Sequence, residues 1–373
     1  MITEAIPQSD CVEGAPHPRE TQQLIGQDKA QSNFLTAFNS GRLHHAWLIT
    51  GPRGVGKATL AWKLARFLLA QENDTGGMFA SDPLPAETLD IAQDNPIMRR
   101  VSSLGEPRLF LCRRPWDEKL KRIKRDITVE ETRALKTFFQ MSAADGGWRV
   151  AIVDAADEMN NSAANALLKI LEEPPAKTII LMISHQPALL LPTIRSRCGE
   201  LRCDKLSSTD LSTALQNAGY NADQNPEYLA ELSDGSVGEA IRILAEDGLK
   251  RYGRLINLAS NAPNMDRPAA IQLANGCTGK GNEHTYDLTL RLLRQMLTRI
   301  ARFAALQPAQ FVEAALGEAQ VLAKLGPNKQ TARKWADLSA ELIARSNHAR
   351  AVNLDPSSVI LDMLLKINET ARN

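Results

Sequence analysis

Gly51-Pro52-Arg53-Gly54-Val55-Gly56-Lys57-Ala58-Thr59 is the stretch on which the fold turns. Glycines at 51, 54 and 56 let successive backbone N–H groups curl around phosphate oxygens, and Lys57 opposes the β/γ charge at the start of a helix. Before the loop, His45-Ala46-Trp47-Leu48-Ile49 reads as a short buried strand. After it, Thr59 to Gln71 reads as a helix with Leu60, Leu64, Phe67 and Leu68 on one face. A glycine loop between a strand and a helix is a much more specific signal than the motif alone.

Further on, helical spacing over Val129–Phe139 leads into Trp148–Asp154, an apolar strand ending in a carboxylate. Asn161–Glu173 is helical and stopped by Pro174-Pro175. Thr178–Ser184 and Gly199–Cys203 supply two more strands. Continuous apolar strands alternating with helices indicate a parallel sheet covered on both faces. Residues 72–116 carry five prolines and read as an irregular insertion. Residues 113–125 hold seven Lys/Arg and two acids, a solvated surface or else a DNA or partner contact. Residues 1–20 read as a flexible tail. Beyond Lys205 strand signals stop. Three short helices over 207–217, 226–232 and 238–244 suggest a small lid, and everything from about Pro268 reads helical. The expected division is a tail (1–20), an α/β core (21–205), a helical lid (206–265) and a helical C-terminal domain (266–373).

At 373 residues with 43% hydrophobic content, the chain can bury more than one core. Its formal charge of +1 excludes a generic nucleic-acid coat, so any DNA contact must be local. Five scattered cysteines form no CxxC pair, which points to ordinary thiols and no zinc. No secretory leader or membrane span is read, so a cytoplasmic location is expected.

The chemistry of the loop is incomplete. A working site needs Ser or Thr directly after the lysine to ligate Mg²⁺, and Ala58 stands there. Thr59 is one residue along the helix, about 100° away. Asp154 ends its strand where a metal-coordinating carboxylate belongs, but the next position, where a glutamate would polarise the attacking water, is Ala155. Asp157 and Glu158 come a turn later.

Three blocks carry a family resemblance: Gly41–Trp47 running into the loop, Ala163–Pro175, and Leu191–Cys198 with its Ser196-Arg197-Cys198 triplet. They resemble the clamp-loader branch of AAA+ proteins, subunits of bacterial DNA polymerase III. The resemblance implies an α/β AAA+ P-loop core with a parallel sheet, a three-helix lid and an all-α collar for ring assembly. It implies gamma/tau and delta subunits as partners in a hetero-pentameric ring, the sliding clamp, and primer–template DNA reached through the assembled complex. Gly51, Gly54, Val55, Gly56, Lys57, Ala58, Thr59 and Asp154 would form a degenerate nucleotide site, with Ser184 as the relic of a γ-phosphate sensor. Arg197 would act in trans as an arginine finger on ATP held by a neighbour, unless it serves an ordinary ion pair. The lid arginine of active relatives is replaced by Gly238. No cofactor is then required, although ATP or ADP could bind without hydrolysis. The expected role is a rigid, non-hydrolysing ring member with no intrinsic ATPase activity. Rival readings are the ATP-hydrolysing gamma/tau-like motor subunit and, from another class, a P-loop nucleotide kinase.

Overall fold

A computed structural model describes residues 7–71, 85–141, 146–221, 225–279 and 281–372. The chain divides into two compact units, residues 1–219 with 236–238, and residues 220–235 with 239–373.

In the first unit the elements run α1 (Asp28–Asn39), β1 (Ala46–Thr50), α2 (Lys57–Ala70), α3 (Pro96–Ser102), β2 (Leu109–Arg113), β3 (Trp116–Asp117), β4 (Arg122–Ile123), α4 (Val129–Gln140), β5 (Arg149–Asp154), α5 (Asn161–Glu172), β6 (Thr178–Ser184), α6 (Pro192–Arg195), β7 (Gly199–Arg202) and α7 (Ser208–Asn217). Strands β2-β5-β6-β1-β7 form one sheet in that order, and every pairing is parallel. All residues of β1 and β6 are buried. Each fully buried Leu or Ile there contributes about 1.5–3 kcal/mol, which fixes the register without help from turns. One core cluster joins the sheet to α4 and α5 through Leu135, Phe138, Leu167 and Ile170. Helix ends are set locally. The Thr128 and Glu131 side chains form a capping box on α4, and Asn160 Oδ1 accepts from Ala163 N at the start of α5.

Two expectations for this unit are corrected. Residues 85–116 are not irregular: they supply α3 and β2, the edge strand paired with β5 over Leu109↔Val150 to Arg113↔Asp154. Five prolines disguised them, yet each lies outside the strand itself. Nor is the segment 7–20 a loose tail. Asp10 has no exposed side-chain surface, His17 is buried and stacks edge-on against Trp62, and Arg66 donates to the carbonyls of Arg19 and Thr21. The rest of the expected tail and insertion, residues 1–6 and 72–84, lies outside the described residues.

The second unit is helical: α8 (Pro226–Ser233), α9 (Val237–Ala245), α10 (Gly248–Ser260), α11 (Arg267–Asn275), α12 (Glu283–Leu306), α13 (Glu318–Leu325), α14 (Lys329–Ala351) and α15 (Pro356–Thr370). Helix α10 has no counterpart in the sequence reading, although Tyr252, Leu255, Ile256 and Ala259 bury one face at helical spacing. A charged knot locks this unit. Glu318, fully buried, accepts from Arg299 Nε at 2.7 Å, Arg299 Nη2 at 3.0 Å, Tyr252 Oη at 2.6 Å and the Ala314 backbone. Arg299 also pairs with Glu231 at 2.7 Å. Replacing Glu318 by Ala leaves the Arg299 guanidinium only Glu231 and the Val312 carbonyl, and losses on breaking such buried pairs run to about 3–5 kcal/mol. Chemical denaturation of the full chain is expected to show a loss of that order for Glu318→Ala. A loss below about 1 kcal/mol would mean that water reaches the knot.

Candidate nucleotide site and the arginine opposite it

Parallel strands deliver their carboxyl ends to one edge of the sheet, and ligand loops gather there. Thr50, the last residue of β1, is level with Ser184 of β6 and Arg202 of β7. The loop 51–56 therefore opens beside Ser184. On the next strand Asp154 is level with Ile183, and Arg113 of β2 is level with Asp154. The loop glycines are required by the backbone: Gly51 at φ 138° presses on the carbonyl of Cys203, Gly54 sits at φ 75°, and Gly56 at φ 100° starts α2.

Lys57 is buried, and its ammonium donates to the carbonyl oxygens of Gly51, at 2.7 Å, and Pro52. Burial pulls it down from the usual lysine range to about 8. Asp154 moves the other way, to about 7: burial leads, the nearby carboxylates of Asp10 and Glu158 add to it, and Lys57 and Arg113 offset part. Ser184 is fully buried, with an Oγ that has no hydrogen-bond partner among the described residues. Thus the structure gathers Gly51, Gly54, Val55, Gly56, Lys57, Ala58, Thr59, Asp154 and Ser184 at one edge. Arg197 is not among them.

The carboxylates after Asp154 are already engaged. Asp157 accepts the backbone N–H groups of His185 and Gln186, at 3.0 and 3.2 Å. Glu158 bridges Arg53 of the loop, at 2.8 Å, and Arg114, at 2.7 Å. Neither is free to replace the carboxylate missing at Ala155. With no hydroxyl at Ala58, the residues present do not fit a Mg²⁺ ion of the kind a hydrolytic site uses. Among the described residues no group of three or more His, Cys, Asp or Glu could hold a metal.

Residues 8–17 also belong to this site, which the sequence reading missed. Arg113 donates to Gln8 Oε1 at 3.0 Å and to the Asp10 carboxylate, and Ser9 Oγ donates to the Arg114 carbonyl. Val12 comes against Gly238, whose N–H donates to the Gly54 carbonyl at 3.2 Å. A Cβ on Gly54 would collide with Ser236. At Gly238 the two backbones approach so closely that a side chain would crowd Gly54 and Val12. The only sequence signal for Arg113 and Arg114 was their place at the head of a basic run, and that run was read as surface.

Arg197 lies elsewhere. It precedes Gly199, which is level with Trp47, near the amino end of β1. Three residues separate Gly199 from Arg202, the position level with the start of the loop, about 10 Å at 3.3 Å per residue, and Arg197 lies further back still. Its side chain, 36% exposed, donates to Glu172 Oε1 at 3.0 Å and to the Thr193 carbonyl at 3.0 Å. Cys198 next to it is half-buried, and burial pushes its thiol up to about 12, so it is no ready nucleophile.

A P-loop α/β core built on a parallel five-stranded sheet, with an arginine on the opposite edge, is the class that the fold and site define. The family described as "DNA polymerase III, delta subunit" matches residues 26–207. A Pseudomonas aeruginosa "DNA polymerase III subunit delta'" is 38% identical over 159 residues, 43% of this chain and 43% of that one. The Escherichia coli "DNA polymerase III subunit tau" is 25% identical over 358 residues, 95% of this chain and 48% of that one. A crystal structure of a DNA polymerase III gamma subunit-related protein from Thermotoga maritima covers 92% of this chain, at 17% identity and a TM-score of 0.39. The chain spans about half the length of these curated relatives. What residues 26–207 carry is a likeness to subunits of DNA polymerase III. No helix among the described residues is long and apolar enough to cross a membrane.

The shifted carboxyl of Asp154 gives a pH test. Its folded pKa, about 7, lies above its ordinary value, so the folded chain holds an extra proton between about pH 4 and 7 and loses stability as pH rises through that window. Asp154→Asn removes that penalty. The variant is expected to be more stable than the parent at pH 8, by about 1–3 kcal/mol, with the difference shrinking toward pH 4. A difference independent of pH would refute the assignment.

Proposed function

We propose that this chain is the delta-prime-like, non-hydrolysing member of a clamp-loader ring, and that Arg197 completes ATP sites held by a neighbouring subunit. The observation that carries the reading is the separation of Arg197 from its own P-loop by the length of the parallel sheet. A guanidinium at the far edge cannot serve the nucleotide of its own chain, but it can reach one bound by a subunit packed against that edge. Such an arginine stabilises charge on the transferring phosphoryl group, an effect of about 10³–10⁵ in GTPases. Its pairing with Glu172 is solvent-exposed and worth about 1 kcal/mol or less, so the side chain can be released toward a stronger anion at little cost.

The chain's own site supports the non-hydrolysing half of the reading. The metal hydroxyl is absent at Ala58, the water-polarising carboxylate is absent at Ala155, and Glu158 and Asp157 are engaged elsewhere. The cradle itself is intact, so ATP or ADP bound without turnover remains within the proposal. In this reading residues 206–265 act as the lid and 266–373 as the collar. Gamma/tau and delta subunits, the sliding clamp and primed DNA are the partners of the assembled ring.

The gamma/tau-like motor is the second reading, favoured by the length of the match to tau. Turnover separates the two. The purified chain with ATP and Mg²⁺ is expected to show none above background, whereas steady turnover near about 1 s⁻¹ or above would make it the motor. In a ring reconstituted with its partners, Arg197→Ala is expected to fold normally and lower ATP hydrolysis at least about tenfold at the site it faces. Unchanged ring hydrolysis would remove the finger role and leave Arg197 as a surface ion pair.

A further inference from the structure

The basic run 113–125 is not one surface. Arg113 and Arg114 turn inward, to Asp10 and Glu158. The five cations that follow, Lys119, Lys121, Arg122, Lys124 and Arg125, are all exposed, and residues 119–125 contain no carboxylate. They ride on a two-stranded ribbon in which Trp116 faces Ile123 and Asp117 faces Arg122. On β4 Ile123 is half-buried and Arg122 exposed, and Lys124, just past the strand, is exposed too.

The acids near the ribbon do not neutralise it. Asp117 accepts the N–H groups of Lys119 and Leu120 at 3.0 Å each, while its charge and that of exposed Glu130 offset only part of Arg122 and Lys124. Glu118 reaches Lys121 at 3.1 Å, both ends of the pair lying in solvent, where such a bridge is worth little. Asp126 follows the run at the base and is exposed. The root is held by the Arg114–Glu158 pair and by Lys124 N donating to the Pro115 carbonyl. A chain of net charge +1 thus concentrates five cations on one anchored protrusion.

We infer that the β3–β4 ribbon is a contact surface for the phosphate backbone of duplex nucleic acid. The shape suits this occupant, since a two-stranded ribbon fits a major groove about 12 Å wide. Arg122 and Lys124, both exposed and two residues apart, offer neighbouring cations to a phosphate backbone. Asn and Gln, which read adenine edges, are absent from residues 113–125, and the exposed cations suit phosphate oxygens. It goes beyond the proposed ring role and does not rest on it, because the isolated chain should already bind.

The test uses the full chain and a fluorescein-labelled mixed-sequence duplex of about 30 base pairs, with anisotropy read from about 25 to 200 mM salt. Binding should weaken steeply with salt. The combined variant Lys119→Gln, Arg122→Gln, Lys124→Gln and Arg125→Gln should bind at least tenfold more weakly at the low end of this range. Its log–log salt slope should be shallower by about 0.9 for each phosphate that the ribbon no longer neutralises. Exchanging the cations instead, as Lys119→Arg, Arg122→Lys, Lys124→Arg and Arg125→Lys, should retain both affinity and slope. The exposed cations Lys329 and Arg333 on α14, changed to Gln, give the control. No duplex binding by the parent chain, an unchanged slope in the ribbon variant, or an equal loss in the control would each overturn the inference. Capture of an acidic protein partner by the ribbon, with duplex binding unaffected, would overturn it too. Circular dichroism establishes that the variants fold.

Discussion

Parallelism of the sheet is the constraint on which the rest of this molecule depends. With β2, β5, β6, β1 and β7 all running the same way, every loop that follows a strand falls on one edge and every segment that precedes one falls on the other. The P-loop follows β1, Ser184 ends β6 and Asp154 ends β5, so they meet whatever the loops between them do. Arg197 precedes β7 and is sent to the opposite edge by the same rule. No local rearrangement of the 191–198 segment could bring it to Lys57 without unpairing β7 from β1. The separation of Arg197 from the loop is therefore built in before any side chain is considered.

Much of this was legible because the deciding signals are short-range. Apolar runs of five to seven residues, Ala46–Thr50 and Thr178–Ser184, announce buried parallel strands, and the glycine spacing 51–54–56 announces the loop between β1 and α2. The lid segments at 207–217, 226–232 and 238–244 fell close to the helices Ser208–Asn217, Pro226–Ser233 and Val237–Ala245. The misses share a physical cause. Strand β2, Leu-Phe-Leu-Cys-Arg, sits on the sheet edge and is mostly half-buried, so its pattern is weak and nearby prolines dominate the reading. Helix α10 carries Lys250, Arg251 and Arg254 among its apolar residues, with Gly253 in its middle, which blurs an otherwise regular face.

The site was legible in its losses but not in its substitutions. Ala58 and Ala155 can be read from spacing alone. That Glu158 is tied to Arg53 and Arg114, or that Asp10 comes against Arg113, depends on contacts between residues far apart in the chain, which no periodicity records. The same limit hid the division of the basic run, since a string of Arg and Lys does not reveal which members turn inward.

Those long-range pairs give the loop site a physical character beyond missing groups. A catalytic P-loop must keep an ionised carboxylate beside a metal and a mobile water. Here the nearby acids are either bonded to cations of the same chain, as Asp10 and Glu158 are, or, like Asp157, consumed in backbone contacts. Asp154, left among them, is pushed toward its neutral form by burial and by their charge. A neutral carboxyl is a poor ligand for a divalent cation. The charge network and the changed motif thus act in the same direction: Asp10, Arg113 and Glu158 are held to one another around Asp154 whatever stands at 58 and 155. The deficiency lies in the charge network as much as in the motif.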